Sequence, residues 1–578
     1  MTRVYSKVIS ALAASSLLVF SSAYAAPDKA RSAKPTPKII DGTLSPQGQW
    51  PFMTALVRGD DQISVWNGQF CGGSFIGDRY ILTAAHCVID EAPEDIDVVI
   101  GVQDLTSQQA EQSRLPVRAI YLHADYDQVT LQNDIAVLEL QASQDLPAVS
   151  LATNTDLANL NLGELLTAMG WGNQQPDSSL QPIYPDALFE VELPYVSRYE
   201  CQDQGGDFAQ IGEETICAGY GPNSFRQEDT CQGDSGGPLV AGGASEPVLV
   251  GLTSWGDGCG QAYGAYTNVA HFSTWLEKVT SDLRFMPFEQ LGYVAQGTYQ
   301  HSFTLLNDDS VAIDVQSVSV AQRNLSNVVT VSDSCSLASN GGQALAAGEQ
   351  CEVVVEYTVS VAGESELEVT FETNHPQAGT VNSLVRMSVL IEEATDIGAY
   401  VDSALGDWFS SDYPWQVQTT DSTVGNTGLM AGSISDGQES VLAVKVAGTG
   451  TLTFDYRVSS EEDYDFFYVY VNESTELTRS GIDSGFRSFS ITLDEAETLV
   501  QFVYSKDASV SEGADTVYID NIRFTSDNEQ PETPPVDNDD SDVVETSGGG
   551  GGGSTGFPLL FLLGFVLLVR NSLVKGAN

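Results

Sequence analysis

Between residues 39 and about 280 the chain is built of short runs in which apolar and polar residues alternate, each run broken by glycine or aspartate. A period of two places successive side chains on opposite faces of a strand, so these runs predict many short β-strands, as a double β-barrel would carry. One stretch departs from that period. His271-Phe-Ser-Thr-Trp-Leu-Glu-Lys278 spaces its apolar residues as a helix does and predicts a helix closing the segment. From about 285 to 393 longer period-two strands follow, among them Val311-Ala-Ile-Asp-Val-Gln-Ser-Val-Ser-Val320 and Cys351-Glu-Val-Val-Val-Glu-Tyr357. A third β-rich segment, 396–525, holds Thr451-Leu-Thr-Phe-Asp-Tyr456 and the aromatic run Phe466-Phe-Tyr-Val-Tyr-Val471. Two apolar stretches lie outside this pattern, one ending near Phe20 and the other covering Phe557–Val569.

Length and charge narrow what such a chain can do. At 578 residues it exceeds what one core usually serves, so about three or four domains are expected. The formal net charge is −55, from 79 acidic and 24 basic side chains, which argues against nucleic acid as a partner. Arg3 and Lys7 precede the first apolar stretch, and Ala23-Tyr-Ala25 offers a small-x-small cleavage site, so residues 1–25 read as a secretory signal peptide. Export into an oxidising compartment allows all eight cysteines to pair. No CxxC or clustered histidine points to a metal, and neither a metal nor a cofactor is expected.

Candidate chemistry concentrates in Asp229-Thr-Cys-Gln-Gly-Asp-Ser-Gly-Gly-Pro238. Ser235 stands among small residues, where its hydroxyl and nearby N–H groups can approach a carbonyl closely. A serine hydroxyl is a weak nucleophile alone and needs a base with an orienting acid. Leu82-Thr-Ala-Ala-His-Cys87 supplies His86, and Asn133-Asp-Ile-Ala-Val137 supplies Asp134 at the head of an apolar run. Asp125 and Asp127 lie nearby but in a polar turn.

With these motifs and Ser254-Trp-Gly256 in the order His, Asp, Ser, residues 39–280 resemble the trypsin-like serine proteases of the chymotrypsin family, in their secreted bacterial (Vibrio-type) form. The resemblance covers somewhat under half the chain. It implies an all-β double barrel and an endopeptidase in which His86 is the base, Asp134 its partner and Ser235 the nucleophile. The N–H groups of Gly233 and Ser235 would form the oxyanion hole, and Ser254 would support Asp134. Asp229, six residues before Ser235, matches the base of an Arg/Lys pocket, with Gly256 and Gly264 as its open walls. Residues 26–38 would be a propeptide cut after Lys38, freeing Ile39 to pair with Asp234. The family's common disulfides would be Cys71–Cys87, Cys201–Cys217 and Cys231–Cys259. Cys335 and Cys351 remain, outside the protease, to staple a hairpin in the next domain. Val102 stands where calcium-binding trypsins carry Glu, so that loop is expected to hold no calcium.

The segments beyond the protease carry no catalytic constellation. An immunoglobulin-like sandwich fits 285–393. Residues 396–525 resemble the jelly-roll modules of bacterial surface proteins, chiefly in Val503-Tyr-Ser-Lys-Asp507 and Asp515-Thr-Val-Tyr-Ile-Asp-Asn-Ile522. Their partners would be a surface or a glycan, although strands favour aromatics for packing alone. Residues 526–556 form a linker, acidic and Pro-rich and then glycine-rich from Gly548 to Gly553. The apolar and basic tail 557–578 follows and reads as a C-terminal hydrophobic helix. Linker, glycines, apolar stretch and basic end together resemble the Gly-Gly C-terminal sorting signal of Gram-negative bacteria. That implies type II secretion machinery and a rhombosortase-type tail protease as partners. A helix over Phe557–Val569 would span about 20 Å against a hydrocarbon core of roughly 30 Å, which suits a brief, cleavable insertion.

Overall fold

The computed structural model describes residues 39–527, apart from 176–179, 223, 395, 436, 463, 473 and 507–512. The expected signal peptide, propeptide (with Lys38), linker and tail lie outside the described residues. Among the described residues no helix is long and apolar enough to cross a membrane.

Two closed six-stranded barrels make up the first part of the chain. In the first, the strand order around the barrel is Met53–Arg58, Gln69–Gly77, Tyr80–Thr83, Ala136–Leu140, Leu115–Leu122 and Ile96–Ile100. These strands are short and bury most of both faces; Ala136–Leu140 is buried at every position. The second barrel runs Leu165–Gly170, Phe189–Val196, Thr215–Ala218, Gly264–Asn268, Val248–Gly256 and Pro238–Ala241, the last pairing back with the first. Its core holds Leu166, Phe189, Leu193, Leu239, Val250 and Tyr266, together with Ile39. The predicted closing helix is present as a 3-10 turn, Val269–Phe272, followed by the α-helix Ser273–Val279.

Four disulfides tie the fold: Cys71–Cys87, Cys201–Cys217, Cys231–Cys259 and Cys335–Cys351. The fourth spans the connection between the paired strands Leu325–Asp333 and Gln350–Val359.

Two β-sandwiches complete the described residues. In the first, Gly297–Asn307, Gln350–Val359 and Leu325–Asp333 face Val315–Arg323, Gly363–Thr373 and Thr380–Glu392 across a core of Phe303, Leu305, Val353, Leu367, Phe371 and Val385. Gln350–Val359 alternates buried and less buried positions along its whole length, as period-two sequence requires. The second sandwich closes over Trp408, Trp415, Phe454, Phe467 and Phe502. The two are joined through backbone. Ile391 and Glu392 at the end of Thr380–Glu392 pair with Ser410 and Phe409 of the next domain, so one nine-stranded sheet runs through both. The first sandwich likewise shares one continuous apolar core with the first barrel of the protease, through Leu283, Phe285 and Phe288.

Candidate active site

His86 sits in the 3-10 turn Ala85–Cys87, immediately after the strand Tyr80–Thr83. The Cys71–Cys87 bond anchors that turn to the neighbouring strand. Asp134 comes from the connection between Leu115–Leu122 and Ala136–Leu140 of the same barrel and is 1% exposed. The approach to it is tight: Leu131 and Asn133 both take positive φ, and Asn133 Nδ2 donates to the Asp125 carbonyl at 2.8 Å. Asparagine adopts that backbone at less cost than most residues. His86 Nδ1 then lies 2.7 Å from Asp134 Oδ2, while the His86 backbone N–H donates to Oδ1 at 2.9 Å. The Ser254 hydroxyl donates to Oδ2 as well, and Thr267 Oγ1 donates to the Asp134 carbonyl at 2.7 Å. Burial opposes protonation of the imidazole. The charge and hydrogen bond of Asp134 outweigh it, and the His86 pKa is raised above its ordinary value.

Ser235 is carried by the second barrel and pressed against the first. Its carbonyl accepts from Gly72 N at 2.7 Å, and the next residue, Gly236, donates to the Thr253 carbonyl at 2.7 Å. Gly236 has φ of +73°, and a Cβ there would stand 2.2 Å from Thr83 Oγ1 and 2.6 Å from the Gly72 carbonyl. Only glycine allows that approach of one barrel to the other. Ser235 Oγ and His86 Nε2 do not meet hydrogen-bond geometry; Nε2 lies 3.7 Å from Cys87 Sγ. Such contacts commonly tighten only once substrate is bound. Among the described residues, the N–H groups of Gly233 and Ser235 have no acceptor.

The loop is held largely by residues outside the motifs. Gln69, 4% exposed, donates from Nε2 to the Gly233 carbonyl at 2.8 Å and to the Cys71 carbonyl at 3.2 Å. Asp234 is fully buried; its two oxygens accept from Gly172 N at 2.7 Å and Cys231 N at 2.9 Å. Gly172 packs directly on that carboxylate, since a Cβ would come within 2.4 Å of its Cγ. Thr267 belongs to the same group of supporting residues. Gln69, Gly172 and Thr267 lie in no catalytic motif; the only signal is a polar residue inside a buried strand for Gln69 and Thr267, and a glycine just past a strand end for Gly172.

Asp229 lies beside this loop and is 5% exposed. Its oxygens accept from Thr230 N and Gly260 N, each at 2.8 Å. Burial raises its pKa to about 7; the two N–H bonds work against the rise and the charge of Asp234 adds to it. Gly256 and Gly264 pair across adjacent strands. They differ in what keeps them bare. A Cβ on Gly264 would meet the Tyr266 ring at 2.8 Å, whereas at Gly256 the nearest atom, the Tyr263 carbonyl oxygen, is 3.6 Å away. Gly264 is thus required by packing, whereas a side chain at Gly256 would meet no clash and would only fill open space. Ile39 and Ile40 are buried, and the Ile40 carbonyl accepts from Asp229 N at 3.3 Å. One cluster of possible metal donors occurs among the described residues, Cys71, His86 and Cys87; its two cysteines share a disulfide and are not thiolate ligands.

A protein-family model described as Trypsin matches residues 39–276. Trypsin-1 of Astacus astacus is 32% identical over 249 residues, a match covering 41% of this chain and 98% of that enzyme. Coagulation factor XII of Sus scrofa is 33% identical over 260 residues, covering 42% of this chain and only 40% of factor XII. Among solved structures, the secreted serine protease VesC from Vibrio cholerae is similar at 26% identity and a TM-score of 0.56, over 84% of this chain and 99% of VesC. That likeness extends beyond the two barrels into the sandwiches. With two six-stranded barrels and a match spanning nearly the whole of a trypsin, this chain belongs to the trypsin family and is a serine endopeptidase.

Proposed function

We propose that the protein is an exported endopeptidase that cleaves after Arg or Lys through a Ser235–His86–Asp134 acyl-enzyme mechanism. Ser235 Oγ rotates toward His86 Nε2, gives up its proton and attacks the scissile carbonyl carbon. The oxyanion that forms is met by the N–H groups of Gly233 and Ser235, worth about 3 kcal/mol per donor. His86 returns the proton to the leaving amine, and water then releases the acyl group by the same path in reverse. Asp134 and Ser254 keep Nδ1 protonated and the ring oriented throughout.

The observation that carries the reading is Asp229. A nearly buried carboxylate, held by two backbone N–H groups and paired with no cationic side chain among the described residues, invites a cation from outside. A guanidinium or ammonium on the substrate would supply it through the opening that Gly256 leaves. Cleavage after Lys38 would free the ammonium of Ile39, and Asp234 is its counter-charge. The bond from Asp229 N to the Ile40 carbonyl supports a coupling of that event to the pocket floor.

The signal segment, the acidic and glycine-rich linker and the basic tail support export through the periplasm. An extracellular or cell-surface product would follow trimming near Gly548–Gly553. The test is hydrolysis of an Arg-ended chromogenic peptide by the processed protein, compared with Ser235→Ala. The reading requires a loss of about 10⁶ in kcat; equal rates for the two proteins would end it. Mass spectrometry of the mature form should find Ile39 at the N-terminus.

A further inference from the structure

The second sandwich meets the protease at the loops that carry Asp134 and follow His86. Val129, half exposed, lies in the loop leading to Asp134 and faces the turn at Gly437: a Cβ on Gly437 would stand 2.8 Å from Val129 Cγ1. Asp90, four residues beyond His86, acts on the strand Phe466–Val471 from the other loop. Burial, then Glu439, then Asp90 push the Tyr468 hydroxyl up to about 12, and Tyr470 is raised in the same way. This domain therefore borders the active site on the His86 side.

On that strand Phe467 and Val469 point into the core, so Phe466, Tyr468 and Tyr470 share the opposite face. They form a ladder, with centroids 5.6 Å apart at 30° for the first pair and 5.7 Å apart at 28° for the second. Tyr293 of the first sandwich packs on the same apolar patch and donates its hydroxyl to Glu439. All of these tyrosines stay partly accessible. The charged residues acting most strongly on their hydroxyls, Glu439, Asp412 and Asp90, are all acidic. These rings and their nearest carboxylates are complementary to Lys and Arg side chains, by cation–π contact and by charge, as Lys445 over the Phe409 ring of the same patch at 5.6 Å already illustrates.

We propose that the Tyr468–Tyr470 ladder, with Tyr293 and Glu439, is an exosite that holds a basic segment of a polypeptide substrate while another part of the same chain occupies the cleft at Ser235. This rests on the endopeptidase reading above. It makes the second sandwich part of substrate selection, because a charge pattern remote from the cut is read before the bond is broken.

The experiment uses the processed full-length protein and three probes sharing one Arg cut: a tripeptide anilide, a peptide with a Lys-rich extension built of D-lysine so that it adds no cut site, and one with a Ser-rich extension. The Lys-rich peptide should exceed the Ser-rich one about tenfold in kcat/KM at low salt. Glu439→Gln and Tyr470→Leu should each erase most of that advantage while leaving tripeptide hydrolysis unchanged. The tripeptide rate reports whether each variant has folded, and the near-isosteric Glu439→Gln keeps the test open if Tyr470→Leu does not fold. Equal kcat/KM for the two extensions in the unsubstituted protein overturns the exosite alone. So does an advantage that survives both substitutions, or one abolished by a soluble polysaccharide. Failure to cut even the tripeptide overturns the endopeptidase reading beneath it.

Discussion

His86 and Asp134 are joined twice, because the ring Nδ1 bonds one carboxylate oxygen at 2.7 Å and the backbone N–H of the same histidine bonds the other at 2.9 Å. The second bond fixes the carboxylate against the main chain, so the first can orient the ring without the aspartate turning. Asp134→Asn keeps the shape but places an N–H donor where an acceptor is needed, and kcat should fall about 10⁴-fold. Crystallography of that variant should find the ring in place, separating a tautomer effect from collapse of the site.

The pH dependence follows from the same pair. The pKa of His86 is raised in the folded protein, so its protonated form contributes stability that is fully present below its ordinary value of 6.5 and lost as pH rises through the folded value. Catalysis needs the neutral ring. kcat/KM should therefore rise through a midpoint above 6.5, and Asp134→Asn should move that midpoint down. A pH–rate profile for a peptide with an uncharged residue at the cut isolates this titration from that of Asp229.

Asp229 shifts stability with pH in the same direction. With a pKa of about 7 against an ordinary 3.8, the folded protein holds this proton more tightly than the unfolded chain does. Stability from this group is present at low pH and lost as pH rises from 3.8 through about 7. A bound amidine restores the balance by pairing with the carboxylate. Its affinity, measured by calorimetry, should weaken about tenfold per pH unit below 7, and it should raise the melting temperature more at pH 8 than at pH 6. Asp229→Ser should abolish the pH trend and cost roughly 10²–10³-fold in cleavage after Arg.

The motif residues stand out in sequence because they crowd into a short segment: Ser235, Asp234, Gly233 and Asp229 fall within seven positions. What supports them does not. Gln69 reaches the Gly233 carbonyl across 164 residues of chain, and Thr267 reaches the Asp134 carbonyl across 133. Alternation reported strands and core faces well, since burial imposes it locally. It carried nothing about which sheet a strand would join, and Thr380–Glu392 proves to pair with a strand of the next domain.

Gln69 offers a test of that hidden layer. Its amide holds the Gly233 carbonyl, and through it the peptide that leads into Asp234 and Ser235. Gln69→Leu leaves the carbonyl without that donor, a loss of about 1–1.5 kcal/mol in hydrogen bonding. The effect should fall on kcat, down about tenfold, with KM for an Arg peptide nearly unchanged because Asp229 is untouched. Rescue by Gln69→Asn or Gln69→His would show that the donor is what matters. A fall confined to thermal stability would reduce Gln69 to a structural role.

The protease and the first sandwich are locked by charge as well as by core. Glu139, on the barrel strand Ala136–Leu140, has a side chain only 1% exposed; it pairs with Arg284 at 2.9 Å and accepts from the Tyr121 hydroxyl at 2.6 Å. Arg284 follows the closing helix and also pairs with Asp308 of the sandwich at 2.7 Å, which Arg79 of the barrel meets at 3.4 Å. Removing Arg284 strands a buried carboxylate. Arg79 and Arg118 remain at 3.8 and 3.7 Å, too long to replace a direct contact. Arg284→Met should therefore cost about 3 kcal/mol, the lower end of what a broken buried pair costs. The double variant Glu139→Gln/Arg284→Met should recover part of that loss, because the orphaned charge is gone. Thermal unfolding of the four proteins in the cycle measures the coupling directly. A coupling near zero would mean that the shared apolar core alone holds the two domains together.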